Sequence, residues 1–366
     1  FAPGRTCLLI GPPQSGKSTL LRLVSGQLEP AVQDTMTGEL RFNQAALKPA
    51  LHRRVCSYVP QTDTHTACLT VEDTISFAFM TTNTRMLKKM RERIMQKDGM
   101  QVGKMPKVEV LLHYLGLVNC KSTIVGDGNM RGVSGGEKKR VTSAEQMAGP
   151  AMVLCMDEIS TGLDAAATLD ITRALRNVCH AQKNTTIVSL LQPPPDVMNA
   201  FDDVLVMAPG GNIVYHGPVR QARQYFTQEL GFQCPEHIDF ADFLVDVCTD
   251  DAQIYYVGGA LPPSSADMAE KWKRSLLYSS YIVPRFAQAA EAGRDPSRNR
   301  VLMEPYDQEF GSSYPQAFML CLRRHLLVIA RDPRFVRQRI GQCLIQAIML
   351  GTIFWQTGND GLKIAV

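Results

Sequence analysis

The chain of 366 residues lacks the features that mark several common protein classes. Its ten cysteines stand singly, without a C-x-x-C pair or a His/Cys cluster, which argues against a structural zinc site and indicates a reducing compartment. The net charge of +4 is small, so the sequence predicts no nucleic-acid partner. The chain also has no initiator methionine, and we expect it to be part of a longer protein.

Long apolar runs are also scarce. The most apolar stretch, residues 340–355, would form a helix of about 24 Å, which is shorter than the bilayer's hydrocarbon core of about 30 Å. It reaches spanning length only if it includes Arg337 and Arg339, whose side chains could snorkel to the headgroups. Hydropathy alone leaves a buried soluble helix and a transmembrane helix both open. If the segment spans, the arginines at 331–339 place its N-terminal side in the cytosol.

The first half of the chain alternates short apolar runs rich in β-formers with helix-like stretches. This alternation predicts an α/β fold with a parallel sheet covered by helices. A Gly-rich turn at 209–211 predicts a closing hairpin whose second arm is residues 212–215. The predicted strands are residues 6–10, 55–59, 152–156, 185–191 and 204–207.

Helical patterns interrupt and follow this sheet domain. We assign the sheet domain to residues 1–222, with an inserted helical subdomain at about 71–148, and a helical extension and linker to residues 223–312. The basic run at 85–93 is typical of a solvated helix face.

One loop carries the strongest chemical signal. Its sequence G-x-x-x-x-G-K-S follows an apolar strand and precedes a helix, as in a phosphate-binding loop. Its glycines let backbone N–H groups surround phosphate oxygens, Lys17 would reach the β- and γ-phosphates of ATP, and Ser18 would bind Mg²⁺. The predicted nucleotide ligands here are Gly11, Pro12, Gln14, Ser15, Gly16, Lys17, Ser18 and Thr19.

Two carboxylates end another apolar run, residues 152–156. A buried central strand ends in this way when its tip faces a nucleotide. Asp157 suits a magnesium ligand, and Glu158 is placed to orient or deprotonate an attacking water. The pair is a weak signal alone and a strong one beside the phosphate loop.

A second anion site is indicated about 20 residues before that strand. Ser134 is a natural helix N-cap, and Gly135 and Gly136 permit close backbone approach before Glu137. One domain needs one triphosphate cradle, so a second is best explained by nucleotide bound to another domain. A plain helix cap is the alternative.

The set and order of these motifs resemble the nucleotide-binding domain of ABC transporters, in particular the G subfamily of pleiotropic drug resistance type. The resemblance makes residues 11–19 the Walker A loop and Gln61 the Q-loop residue that contacts Mg²⁺. It makes Ser134 to Glu137 the signature motif and Asp157 with Glu158 the Walker B pair. Residues 160–164 match the D-loop, and residues 189–193, 201–204 and 213–218 resemble strings of this subfamily.

The resemblance implies an ATPase, with Glu158, Gln61 and Lys17 as catalytic residues, that drives export of amphipathic compounds or lipids. The implied partners are a second nucleotide-binding domain in the same parent chain, transmembrane domains and the membrane. The implied location is the plasma membrane, with this domain in the cytosol. Family order also predicts, within residues 313–366, a connecting helix at 314–331 and a first transmembrane helix near 340–355.

Leu191 departs from the family pattern, which has a histidine there that contacts the γ-phosphate and the attacking water. Leucine cannot donate a hydrogen bond. The resemblance therefore implies that the site built on Lys17 hydrolyses ATP slowly, while Ser134 completes a faster site on the partner domain.

Two alternatives stay open at this point. A soluble ABC-type ATPase would lack an apolar terminus, and the segment at 340–355 speaks against it. A half-size transporter that pairs with itself would carry Leu191 in both sites, which is unfavourable for turnover.

Overall fold

Six strands form a single sheet in the computed structural model, which describes residues 1–29, 37–38, 40–42, 49–96, 108–259, 261–293 and 310–354. The order across the sheet is β2-β3-β4-β1-β5-β6, and every neighbouring pair is parallel except the hairpin of β5 and β6. The strands are β1 (Arg5–Ile10), β2 (Cys56–Val59), β3 (Val153–Met156), β4 (Thr185–Ser189), β5 (Asp203–Ala208) and β6 (Asn212–Pro218).

The predicted strands are confirmed, with three corrections at their ends. Val55 belongs to a helix and Met152 precedes the strand, so β2 and β3 each begin one residue later than predicted, and β4 ends earlier. The sequence predicts a strand to Leu191, but pairing stops at Ser189. Leu190 is buried beyond that point, whereas Leu191 is 44% exposed. The buried part of the apolar run therefore ends at Leu190, whose N–H still donates to the carbonyl of Leu9 in β1 at 3.4 Å.

The two faces of the sheet pack against different helices. On β1, Cys7 and Leu9 join one apolar core, while Leu8 and Ile10 join another, as alternation along a strand requires. The first core includes residues of α1 (Lys17–Ser25), and the second includes residues of α6 (Ala165–Gln182). Both faces are covered, as is usual for a parallel sheet.

The other α-helices that the structure describes are α2 (Pro49–Val55), α3 (Val71–Gln96), α4 (Val108–Tyr114), α5 (Gly135–Met147), α7 (Pro195–Asn199), α8 (Val219–Gln224), α9 (Phe240–Asp246), α10 (Ala252–Tyr255), α11 (Ser265–Arg274), α12 (Val283–Gly293), α13 (Tyr314–Arg331) and α14 (Pro333–Phe354). Helices α3, α4 and α5 share a separate apolar core around Val71, Leu112 and Val141, as expected of an inserted helical subdomain. The sequence also predicts a loop near residues 99–106, which lies outside the described residues. The proposed domain limits stay predictions.

A buried cluster of charged side chains joins the helical extension to the sheet. The carboxylate of Asp203, only 2% exposed, accepts hydrogen bonds from the Arg5 guanidinium at 2.6 and 2.8 Å and from the Tyr281 hydroxyl. An Arg285 nitrogen lies 3.5 Å from the same carboxylate. Burial opposes ionisation, but the hydrogen bonds from Arg5 and Tyr281 hold the pKa of Asp203 below its usual value.

We expect Asp203→Ala to loosen this attachment, since it leaves the cations of Arg5 and Arg285 without their buried partner. Breaking a buried ion pair costs about 3 kcal/mol. The measurement is hydrogen exchange of the amides in β5 and α12. Because the folded-state pKa lies below the unfolded value of about 3.9, the stabilisation is full at neutral pH and is lost only as the pH falls through the folded pKa.

The matched control is Arg274→Ala, which removes the ion pair with Glu270. Both partners of that pair are exposed, at 81% and 68%, so it contributes little. If the amides of β5 and α12 exchange equally fast in the two variants, Asp203 does not attach the helical extension to the sheet.

Two long helices end the described chain. The connecting helix expected at 314–331 is present as α13, and α14 covers most of the apolar segment expected at 340–355. Within residues 1–354, as far as they are described, no helix combines the length and the apolar character needed to cross a membrane. The first transmembrane helix stays a prediction.

Candidate functional site

The phosphate-loop sequence forms a tight turn between β1 and α1. A Cβ at Gly11 would lie 2.1 Å from the carbonyl oxygen of Met207, so only glycine fits where the loop crosses β5. Gln14 and Gly16 adopt positive φ angles of 62° and 95°, and α1 begins directly after them at Lys17. The first-turn N–H groups of α1 thus face the loop, as an anion site requires.

Lys17 and Ser15 are the buried polar side chains of this loop. The Lys17 ammonium donates to the carbonyls of Gly11 and Pro12 at 2.7 and 2.9 Å. Burial lowers its pKa, against the opposing effect of the Glu158 and Asp157 carboxylates. The Ser15 hydroxyl oxygen is buried and has no hydrogen-bond partner in the part of the chain that the structure describes. The loop therefore holds a buried cation and a buried hydroxyl suited to an anionic ligand.

The tip of β3 holds the predicted carboxylate pair. Asp157 is 3% exposed, and its two carboxylate oxygens accept hydrogen bonds from Tyr58 at 2.8 Å and from Ser189 at 2.7 Å. The Ser189 hydroxyl also accepts from the backbone N–H of Glu158 at 2.9 Å. Neighbouring strands thus orient Asp157 from both sides. Sequence reasoning did not identify Tyr58 or Ser189 as its partners.

Glu158 leaves the strand at a sharp turn, with a φ of 47° that non-glycine residues rarely adopt. Its carboxylate accepts a hydrogen bond from the side-chain amide of Gln61, 97 residues earlier in the chain. The structure therefore brings together two predicted catalytic residues from the ends of adjacent strands. A left-handed residue in such a place is a local strain that often accompanies function.

Ser134 caps α5 in the predicted way. Its hydroxyl accepts from the Glu137 N–H at 3.2 Å, and the Glu137 carboxylate accepts from the Ser134 N–H at 2.8 Å. This capping box lowers the pKa of Glu137, chiefly through the backbone hydrogen bond from Ser134. No hydrogen bond between described residues joins Ser134, Gly135, Gly136 or Glu137 to the loop at 11–19.

Lys139, on the same helix, was missed by sequence reasoning. Its side chain is only 2% exposed, and its ammonium donates to the backbone carbonyls of Pro60 and Gln61 at 3.1 and 2.8 Å. It also lies 3.4 Å from a carboxylate oxygen of Asp63. In the sequence it stands within Lys138-Lys139-Arg140, which has the appearance of a solvated basic run.

Leu191 follows β4 by two residues, and its side chain is 44% exposed. Ser189, the last residue of that strand, contacts Asp157. Leu191 is therefore two residues from a side chain that contacts Asp157. Its own side chain has no group that could donate a hydrogen bond.

Comparison with known proteins agrees with this geometry. Residues 1–161 match the ABC transporter family, and residues 191–312 match the ABC-2 type transporter family. The chain belongs to the ABC transporters, and its first part has the P-loop ATPase fold of that family. Within them it belongs to the G family, of pleiotropic drug resistance type.

The relatives that support this assignment are plant proteins. ABC transporter G family member 38 of Arabidopsis thaliana is 33% identical over 376 residues, which cover 98% of this chain and 26% of the relative. Pleiotropic drug resistance protein 1 of Nicotiana tabacum is 33% identical over 389 residues, which cover 97% of this chain and 26% of the relative. The chain thus spans about a quarter of the length of these curated relatives.

Proposed function

We propose that this chain is the first nucleotide-binding region of an ATP-driven exporter of amphipathic compounds or lipids. It works with a second nucleotide-binding domain of the same parent chain and with transmembrane domains, and it faces the cytosol at the plasma membrane. The observation that carries the proposal is the separation of two groups of residues. One group combines the loop at 11–19 with Gln61, Asp157 and Glu158, and the other is the capped start of α5 at Ser134.

The residues of the first group fit ATP with Mg²⁺. The buried Ser15 hydroxyl lacks a partner among the described residues, and Lys17 holds only loop carbonyls, which phosphate oxygens would replace. Gln61 donates through its amide nitrogen, so its oxygen is the atom that would ligate the cation, together with Ser18 and Asp157. Bound ATP would supply the phosphoanhydride bond whose cleavage drives transport.

The second group fits nucleotide held by another domain. Because the Ser134 hydroxyl accepts from Glu137, its own hydrogen remains to donate to a phosphate oxygen. The first-turn N–H groups of α5 add partial positive charge. Ser134 therefore completes a site built on the partner domain's loop, and closure of the two domains is the step that transport uses.

The two composite sites are unequal in this proposal. Glu158 is placed to accept a proton from an attacking water, but Leu191 supplies no hydrogen bond to hold that water or the γ-phosphate. The site built on Lys17 binds ATP and turns it over slowly. The site completed by Ser134 carries most of the turnover.

We expect Glu158→Gln in the full-length protein to leave at least about half of the ATPase activity, since a slow site contributes little to the total. The measurement is steady-state ATP hydrolysis by the purified protein in lipid bilayers. The matched variant is the corresponding substitution in the second nucleotide-binding domain, which should abolish turnover. Loss of turnover in Glu158→Gln itself would refute the inequality.

The soluble alternative is disfavoured. The match of residues 191–312 to the ABC-2 type transporter family argues against an ATPase without a membrane role. Helices α13 and α14 also expose large apolar side chains, including Phe318, Leu326, Ile345 and Ile348. Recovery of the full-length protein from the membrane fraction only with detergent would support the exporter, and full solubility without detergent would contradict it.

A further inference from the structure

A lysine lies buried between the two groups of the proposed site. Lys139 extends from the second turn of α5, the helix that Ser134 caps, and ends at the backbone of residues 60–63. All the partners of its ammonium belong to that segment, which contains Gln61. Lys139 is therefore a direct connection between the helix of the second group and the chain segment that presents Gln61 to Glu158.

The energetics of burial favour a specific role for this side chain. An ammonium group removed from water is costly unless its donors are satisfied, and an apolar residue would fill the same space without that cost. Two carbonyls and the Asp63 carboxylate satisfy the three donors of Lys139. The bond to the Gln61 carbonyl, at 2.8 Å, is the shorter of the two backbone bonds.

A second contact strengthens the same junction. The Thr142 hydroxyl, one turn further along α5, donates to the Asp63 carboxylate at 2.6 Å. Asp63 is thus held by two residues of the helix, and residues 60–63 cannot move independently of α5 while these bonds persist. By contrast, Lys138 donates to the carbonyl of Gly126 at 2.8 Å, in the loop before α5, and has no bond to residues 60–63 among those described.

We propose that Lys139 is a positioning residue that couples the two composite sites, an inference that rests on the proposed function. It fixes the backbone of Gln61 relative to α5, so that a shift of Gln61 when nucleotide occupies the Lys17 site moves the Ser134 end of the helix. The reverse shift follows by the same connection, because coupling between sites is reciprocal.

The test is a double-mutant cycle of Lys139→Met and Gln61→Ala in the full-length protein in lipid bilayers, with kcat and KM for MgATP as readouts. We expect each single variant to lower kcat about tenfold, because each uncouples the Lys17 site from the faster site that Ser134 completes. The double variant should be no slower than either. In Lys139→Met, KM should stay within about twofold of the unmodified protein, because no hydrogen bond or ion pair between described residues joins Lys139 to the phosphate loop. Effects that multiply in the double variant would overturn the proposal.

Two variants keep the cycle interpretable. Lys138→Met removes a neighbouring ammonium of the same helix and is expected to leave kcat within about twofold. If Lys139→Met does not reach the membrane, Lys139→Gln, which is shorter and keeps two N–H donors, enters the same cycle. If the unmodified full-length protein has no ATPase activity, the proposed function is refuted. If it is active and the effects of Lys139→Met and Gln61→Ala multiply in the double variant, only the role of Lys139 is refuted.

Discussion

Replacing Ser134 with arginine is expected to lower ATP turnover of the full-length protein by about 100-fold or more, the usual effect of losing an aligned hydrogen-bond donor at a reacting phosphate or oxyanion. The substitution removes the hydroxyl that would donate to phosphate. It also places a long side chain at the start of α5, where the first-turn N–H groups would otherwise approach the partner domain's nucleotide. The measurement is steady-state ATP hydrolysis, together with transport of a fluorescent amphipathic compound.

Loss of the helix cap alone would also follow from this substitution, and the chain offers a control for it. Ser264 caps α11 with the same backbone angles, φ −64° and ψ 163°, and its hydroxyl likewise accepts from the residue three positions on at 3.2 Å. Ser264→Arg should therefore cost the same stability, about 1 kcal/mol, with turnover unchanged. Equal losses of turnover in both variants would show that Ser134 acts only as a cap.

The sheet and the phosphate loop were predictable because their signals are local. Each strand has four to seven residues and contains a short apolar run, and the hairpin turn contains Gly210 and Gly211, both at positive φ. The loop at 11–19 is recognisable because phosphate binding needs glycine and lysine at a defined spacing after a strand. The order of the strands across the sheet was not predictable in this way. Strand β1 pairs with β4 and β5, which follow it by about 180 residues or more, and no local sequence pattern indicates that pairing.

The buried charges were not predictable, because their meaning depends on partners far along the chain. Asp203 pairs with Arg5 at a separation of 198 residues, and Lys139 reaches Gln61 at a separation of 78. A lysine in a polar helical run reads as solvent-facing unless its partner is known. Gln61 and Glu158 were predicted separately by resemblance, and only the fold shows that they form a hydrogen bond.

Gly11→Ala is expected to weaken nucleotide binding at the Lys17 site by about 100-fold, although it adds only one methyl group. The new Cβ would lie 2.1 Å from the Met207 carbonyl oxygen and 3.0 Å from the Ser15 hydroxyl oxygen, so the loop must shift. A displacement of about 1 Å in a positioned site commonly costs about 100-fold. The measurement is photolabelling of this region by an azido-ATP analogue as a function of its concentration.

The control is Gly128→Ala, at an exposed glycine where an added Cβ meets no heavy atom within 4 Å. It should leave labelling unchanged. Because Lys17 donates to the carbonyl of Gly11, a shift of this loop moves the ammonium and the backbone cradle together. Gly11→Ala should therefore weaken labelling more than Lys17→Met, which removes the ammonium and leaves the backbone in place. Labelling that is weaker in Lys17→Met than in Gly11→Ala would show that charge, rather than loop shape, dominates binding here.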